Sequence, residues 1–205
     1  MKLLITGIII LLFHGTTHGQ KLSFSPEFVF GNRSFAYQHF VKSDLSEKWS
    51  MNNVTLFDTE HKGGDNNIFF IRNTLVYKLN KSYQLNAATG VKNPGAFGTV
   101  SAQYKFTKQA FYISYSIGAT YQDDVTLEQS ISINYSPQIT SNTRLYINLF
   151  MVSNTDFSTL IRGIQQLRLG ITKNKLMTGV AFNFDQFNNS SKTLSNYGIF
   201  IKFNY

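Results

Sequence analysis

The chain has 205 residues, of which 15% are charged and 15% aromatic, with 19 Lys and Arg against 11 Asp and Glu for a formal charge of +8. That charged fraction falls well below the roughly 25% of ordinary soluble domains. The lack of cysteine excludes disulfides, thiolate metal sites and a lipid anchor attached through a cysteine.

In chain order, Met1 and Lys2 form a short positive start, and Leu3 to Phe13 is an apolar run containing Gly7. A small and polar tail follows, with Thr17 and Gly19 placed like the small residues around a signal-peptidase site. This is the layout of a secretory signal peptide over residues 1–19, too short to span a membrane as a helix. Losing Lys2 with the leader leaves 18 basic against 11 acidic residues in 20–205, a charge of +7. After Gln20 no apolar run approaches the roughly 18 residues of a membrane helix. If residues 20–205 enter a membrane, a closed barrel is the one structure left to them, because every backbone amide must be paired in lipid.

Segments of strand length follow at 22–31, 35–42, 50–57, 68–79, 83–92, 97–106, 111–121, 125–136, 144–152, 160–171, 176–185 and 197–205. In Phe111–Tyr121 the odd positions carry Phe111, Ile113, Tyr115, Ile117, Ala119 and Tyr121, while Tyr112, Ser114, Ser116, Gly118 and Thr120 alternate with them. Val125, Leu127, Ile131, Ile133 and Tyr135 repeat the scheme, as do Leu176, Thr178, Val180, Phe182 and Phe184. A period of two places these sets on opposite faces of a strand, and no segment sustains a period of 3.6. Pro26, Pro94 and Pro137 fall in the first strand and in connections, where a missing amide is tolerable.

The connections alternate in length. Tight ones are expected near 80–81, 107–109, 137–141 and 173–174, and longer ones at 58–67, 92–95, 122–124, 154–158 and 186–194. Both termini then fall on the short-turn side, which requires an even strand number. The first two hairpins break the pattern, with 32–33 tight and 43–48 long. The expectation is an all-β fold, a transmembrane antiparallel β-barrel of about twelve strands, with ten strands as the competitor.

The last strand sharpens this. Tyr197, Ile199, Ile201, Phe203 and Tyr205 are all large and apolar or aromatic; Gly198, Lys202 and Asn204 alternate with them, and Phe200 is the exception. The segment resembles the closing strand of Gram-negative outer-membrane β-barrels, porin-like proteins whose C-terminal aromatic strand is read by the barrel assembly machinery. The resemblance implies export to the outer membrane of a Gram-negative bacterium, with lipid and lipopolysaccharide as neighbours.

With the apolar face turned to lipid, parity turns Arg72, Lys78, Lys92, Lys105, Arg144, Arg162, Arg168 and Lys202 inward, against Glu27, Glu128 and Asp185. Lys78, Lys105, Arg144, Arg168 and Lys202 are expected near the periplasmic end, Lys92 and Arg162 near the outer mouth. A basic ring around a narrow wet lumen concentrates anions and repels cations. Lumenal charges that pair with one another merely to fill a small barrel are the plainer alternative. Inward aromatics, Tyr112, Tyr146, Phe150 and Phe200, could narrow the lumen or stack a sugar, with filling space as the plainer reading, whereas Tyr83, Tyr121, Tyr135, Tyr197, Phe203 and Tyr205 suit interfacial girdles.

A catalytic site is not expected. Residues 20–205 hold two histidines, His39 and His61. His39 shares the parity of Phe35, Tyr37 and Val41, which suggests an interfacial position. His61 lies in a polar loop beside Asp58, Glu60 and Asp65, a set that could weakly hold a divalent cation, although a solvated loop is the simpler reading. No nucleophile elbow, zinc-protease motif or phosphate loop occurs, and no cofactor is implied. The functional expectation is a passive channel for small, preferably anionic solutes. The alternatives are a non-conducting structural or adhesion barrel and a secreted, soluble, carbohydrate-binding β-sandwich.

Overall fold

The computed structural model describes residues 22–93, 95–156, 158–189 and 191–205; the expected signal peptide, 1–19, lies outside the described residues. The strands are β1 (Leu22–Gly31), β2 (Ser34–Asp44), β3 (Trp49–Glu60), β4 (Ile68–Lys78), β5 (Tyr83–Lys92), β6 (Gly95–Lys108), β7 (Phe111–Tyr121), β8 (Val125–Tyr135), β9 (Gln138–Thr140), β10 (Thr143–Thr155), β11 (Leu160–Lys173), β12 (Leu176–Phe187) and β13 (Lys192–Phe203). β9 is a three-residue arm on the foot of β10, and the other strands circle the molecule as a closed antiparallel barrel of twelve. No helix occurs among the described residues.

Closure is made between β1 and β13, from Glu27 opposite Lys202 to Gly31 opposite Gly198. Below that ladder Phe24 and Tyr205 exchange backbone bonds of 3.2 and 3.0 Å, so pairing runs to the last residue. A single closed sheet has no free edges, and it replaces both the ten-strand count and the two-sheet sandwich.

The alternation of long and short connections does not survive. The expected loop 186–194 is mostly strand, since β12 runs to Phe187 and β13 begins at Lys192, and the connection between β5 and β6 shrinks to residues 93–94. Polar residues near strand ends carry the barrel wall beyond the apolar belt, where they face water and read as loop. Both rims are therefore short. The end at which β1 starts and β13 finishes is the terminal end, and its opposite the far end.

Parity around the wall is continuous. Ile113, Ile133, Leu149, Leu167, Phe182 and Tyr197 are direct cross-strand neighbours in one outward row. One residue along, Ser114, Ser132, Phe150, Gln166, Asn183 and Asn196 form the matching inward row. Two aromatic belts edge the outer face. Trp49–Tyr77 and Tyr83–Tyr104 lie at the terminal end with ring centroids 4.8 and 5.3 Å apart, and Phe30–Phe35 and Phe57–Phe69 lie at the far end at 5.3 and 5.4 Å.

His39 departs from expectation. It stands in the middle of β2 rather than at an interface, within an outward polar stripe. Tyr37 Oη lies 2.9 Å from its Nδ1, and its Nε2 lies 3.0 Å from Asn53 Oδ1. Thr55 Oγ1 donates to the same Oδ1 at 3.2 Å, and Asn53 Nδ2 donates to Asn73 Oδ1 at 2.9 Å. Side chains with these polar atoms are tolerable against hydrocarbon because they satisfy one another.

Inside, one side of the barrel is packed solid. Tyr146, Gly170, Gly179 and Phe200 are direct neighbours across β10 to β13, and the Tyr146 and Phe200 rings meet 5.7 Å apart. The two glycines let the backbones of β11 and β12 approach closely: a Cβ on Gly179 would come within 2.1 Å of Leu169 O. Val29 and Ala36 continue the buried row into β1 and β2.

The parity assignment has a direct test. Ile133→Lys, placing a charge on the lipid-facing row, is expected to destabilise the folded barrel by about 2–4 kcal/mol. Ser132→Lys, one residue along on the lumenal row, should cost far less. Urea titration of both variants in lipid vesicles compares them.

Candidate functional site: the barrel lumen

The lumen is lined by the inward row of every strand. Arg168 Nε donates to Glu27 Oε1 at 2.8 Å, and both side chains are 2% exposed. Gln38 Nε2 donates to the same Glu27 oxygen at 2.8 Å, and Arg168 Nη1 donates to Asn183 Oδ1 at 2.7 Å. Arg168 was expected near the periplasmic end of an open pore. It is instead buried in the packed side of the barrel, bolting β11 to β1, and is not presented to solutes. Breaking such a pair leaves a bare buried charge. Glu27→Ala is therefore expected to destabilise the barrel by about 3–5 kcal/mol, which would appear as unfolding at a lower temperature on heat-modifiable gels; Glu27→Ala with Arg168→Met should recover part of the loss.

At the far end, cations are matched by acids. Arg33 holds Asp58 at 3.0 Å and Glu60 at 2.8 Å. Arg162 grips Asp185 with two bonds, 2.9 and 2.7 Å, with its guanidinium 4.9 Å from the Phe187 ring centre. Arg72 Nη1 donates to Glu128 Oε1 at 2.7 Å, a bridge from β4 to β8 across the lumen. Lys92 is the exception: it lies over the Phe97 ring at 5.1 Å, with no carboxylate within 4 Å among the described residues.

The terminal end differs. Lys42, Lys78, Lys105, Arg144 and Lys202 turn inward there, and among the described residues the inward acids beside them are Asp44 and, opposite Lys202, Glu27. Asp44 takes Lys78 at 2.8 Å and Lys42 at 3.4 Å. Lys202 stands 3.8 Å from the already engaged Glu27 and 3.5 Å from Tyr146 Oη. Lys105 and Arg144 have no carboxylate within 4 Å among the described residues. Outside the lumen the rims repeat this polarity. The terminal rim carries Lys48, Lys81, Lys108, Lys173 and Lys175 against Glu47. The far rim carries Asp65, Asp123, Asp124 and Asp156 against Lys62 and Lys192. In the loop between β10 and β11, Asp156 accepts bonds from Thr159 N at 2.7 Å and from Ser158 N and Oγ at 3.1 and 2.9 Å, and these hold its carboxyl below the usual range.

Of the residues picked out by parity, the structure thus brings Lys78, Lys105, Arg144 and Lys202 to one end. It pairs Arg72 and Arg162 with acids, isolates Lys92, and buries Arg168. Parity alone missed Lys42 and Asp44, which belong to the terminal-end group, and the rim charges that extend it. The signal was in the sequence, since each of those lysines lies beside a turn on the same side. His61 does not join its neighbouring acids: its Nε2 lies 2.9 Å from Gly31 O, while Asp58 and Glu60 belong to Arg33.

No family model matches the chain, and no curated protein does either. Among solved structures, the porin KdgM in complex with disordered oligogalacturonate is similar, at 7% identity and TM-score 0.56, covering 89% of this chain and 99% of that one. The porin NanC is similar at 8% identity and TM-score 0.52, covering 88% of this chain and 97% of its own. The chain has the porin-like fold of an outer-membrane β-barrel.

Proposed function

We propose that the chain is an outer-membrane channel for small anionic solutes, with its terminal end facing the periplasm. The observation that carries this reading is the cation surplus at the terminal end of the lumen, where Lys105 and Arg144 have no acid to neutralise them. Fixed positive charge beside low-dielectric walls raises local anion concentration and repels cations. In this reading residues 1–19 direct export and are removed. The assembly machinery takes Tyr197, Ile199, Ile201, Phe203 and Tyr205 as its signal, lipid and lipopolysaccharide surround the wall, and the protein performs no chemistry.

A second reading, a non-conducting structural barrel, is favoured by the packed side around Arg168 and by the Arg72–Glu128 bridge across the lumen. Planar-bilayer recording separates the two. The channel reading expects conductance with a reversal potential that favours chloride over potassium. Lys105→Gln with Arg144→Gln should move that potential toward zero without closing the pore. Cation preference would overturn it, and silence from correctly folded protein would favour the structural barrel.

A further inference from the structure

The outward polar stripe on β2 to β4 ends in an unsatisfied group. It passes from Tyr37 through His39 to Asn53 and stops where Asn53 Nδ2 donates to Asn73 Oδ1. Among the described residues the Asn73 side chain makes no other hydrogen bond. A primary amide has two N–H donors and two lone pairs, so both donors and one lone pair of Asn73 are left over.

The depth is the least favourable on the wall. Asn53 lies midway between Trp49 and Phe57 on β3, and Asn73 midway between Phe69 and Tyr77 on β4. Those four rings belong to the two aromatic belts, so both amides stand at mid-height, far from water at either rim. A bare donor in hydrocarbon is costly, and polar side chains held at that depth turn toward a protein partner or a wet cavity. A different outward polar group, Tyr115–Gln129 with Gln165–Gln186, occupies the other side of the barrel. It reaches Gln186, one residue short of the end of β12, and so opens to the water of the far rim. The Asn73 end of the stripe has no such outlet.

Beside Asn73 the outer wall is hollow. Two adjoining depressions of about 560 and 690 Å³ run over β4 to β7, and Asn73 lines the first of them. Their floor is made of small outward residues: Ala87 on β5, Gly98 and Ala102 on β6, and Ala119 on β7.

We propose that the β3–β5 face binds a second copy of this chain about a two-fold axis passing beside Asn73. Copies inserted the same way carry every residue at the same height, so a second copy presents an amide at the depth where Asn73 needs one. The two amides are complementary in partial charge, the N–H of each meeting the free lone pair of the other. With the axis beside β4, β3 of one copy faces β5 of the other, so Asn53 and Met51 lie over the small side chains of the hollow. Small residues let two walls approach closely in lipid, and the contact is isologous, as closed dimers require. An acyl chain would fill the hollow equally well but would leave the amide bare.

The chain has no cysteine, so single introduced thiols report contacts cleanly. The full-length protein is folded into lipid vesicles and treated with a short bis-maleimide. Leu75→Cys, one outward place from Asn73, is expected to give cross-linked dimer. Met151→Cys, on β10 beside the other polar group, is expected to give none. Energy transfer between labelled copies diluted in lipid then gives the dissociation constant. Asn73→Leu should raise it at least about tenfold, the effect of one amide hydrogen bond made in lipid. Ala87→Trp, which fills the hollow, should also separate the copies. Heat-modifiable mobility confirms that each variant is folded; a purely structural Asn73 predicts that Asn73→Leu leaves self-association unchanged. The inference is overturned by a protein that stays monomeric at every lipid dilution, with or without lipid held in the hollow. Dimers joined through Met151→Cys overturn it as well, as does association that ignores Asn73→Leu.

Discussion

Closure of β13 on β1 is the constraint from which the other features follow. A sheet of this size left open would present two rows of unpaired amides to hydrocarbon, each costing several kcal/mol. The ladder from Glu27–Lys202 to Gly31–Gly198, continued by Phe24 and Tyr205, removes them. It also fixes what the inside must be. Once β1 meets β13, Glu27 lies within reach of Arg168 on β11, and Asn196 on β13 reaches the β1–β2 turn, where its Oδ1 accepts from Arg33 N at 2.9 Å and Ser34 N at 3.2 Å. A Cβ on Gly31 would strike the Asn196 side chain at 2.0 Å, so that residue is glycine for space.

A barrel of twelve strands has an interior that side chains can largely fill, and the filling is uneven. Tyr146 and Phe200 fold over Gly170 and Gly179 on one side, and an amide network occupies the other. What remains open is a cavity lined by residues of β2 to β8, β10 and β11. The pore-like part of the protein is thus a remainder left by packing, and its walls are mixed, with Val54, Leu56, Phe150 and Val152 beside Asn52, Ser116, Ser130 and Asn154. Residues at those positions belong to the same inward layer that elsewhere forms a buried core.

The wall was legible in the sequence and the lumen was not. Phe111–Tyr121 and Tyr83–Lys92 were found to the residue because their alternation is uninterrupted and turn residues bound them closely. β10 was read as ending at Val152, yet it runs to Thr155, because Ser153, Asn154 and Thr155 offer no apolar set to count. The same cause turned the ends of β12 and β13 into an imagined outer loop. Inside the barrel, parity assigned direction correctly to Phe150 but could not say that Phe150 faces Val54. That pairing depends on strand count and closure, which act across the whole chain. Arg168 shows the limit most clearly: its inward direction follows from spacing, whereas its burial depends on Glu27, 141 residues away.

Pairing distance also accounts for the axial charge gradient. An arginine low on β11 finds an acid on β1 through the packed side, and those high on β4 and β11 find acids across or beside the cavity. At the terminal end Asp44 is taken by Lys78 and Lys42, and Glu27 by Arg168 with Lys202 at 3.8 Å, so Lys105 and Arg144 keep their field. Surface pairs would be screened within about 10 Å at ordinary salt, but charges recessed in a narrow mouth act on any ion forced to pass between them. The far rim is acidic and would by itself discourage anions at long range. In the proposed channel, selectivity at the terminal end would depend on confinement more than on the net charge of +8, with the rim lysines toward the surrounding headgroups and the inward cations toward the solute.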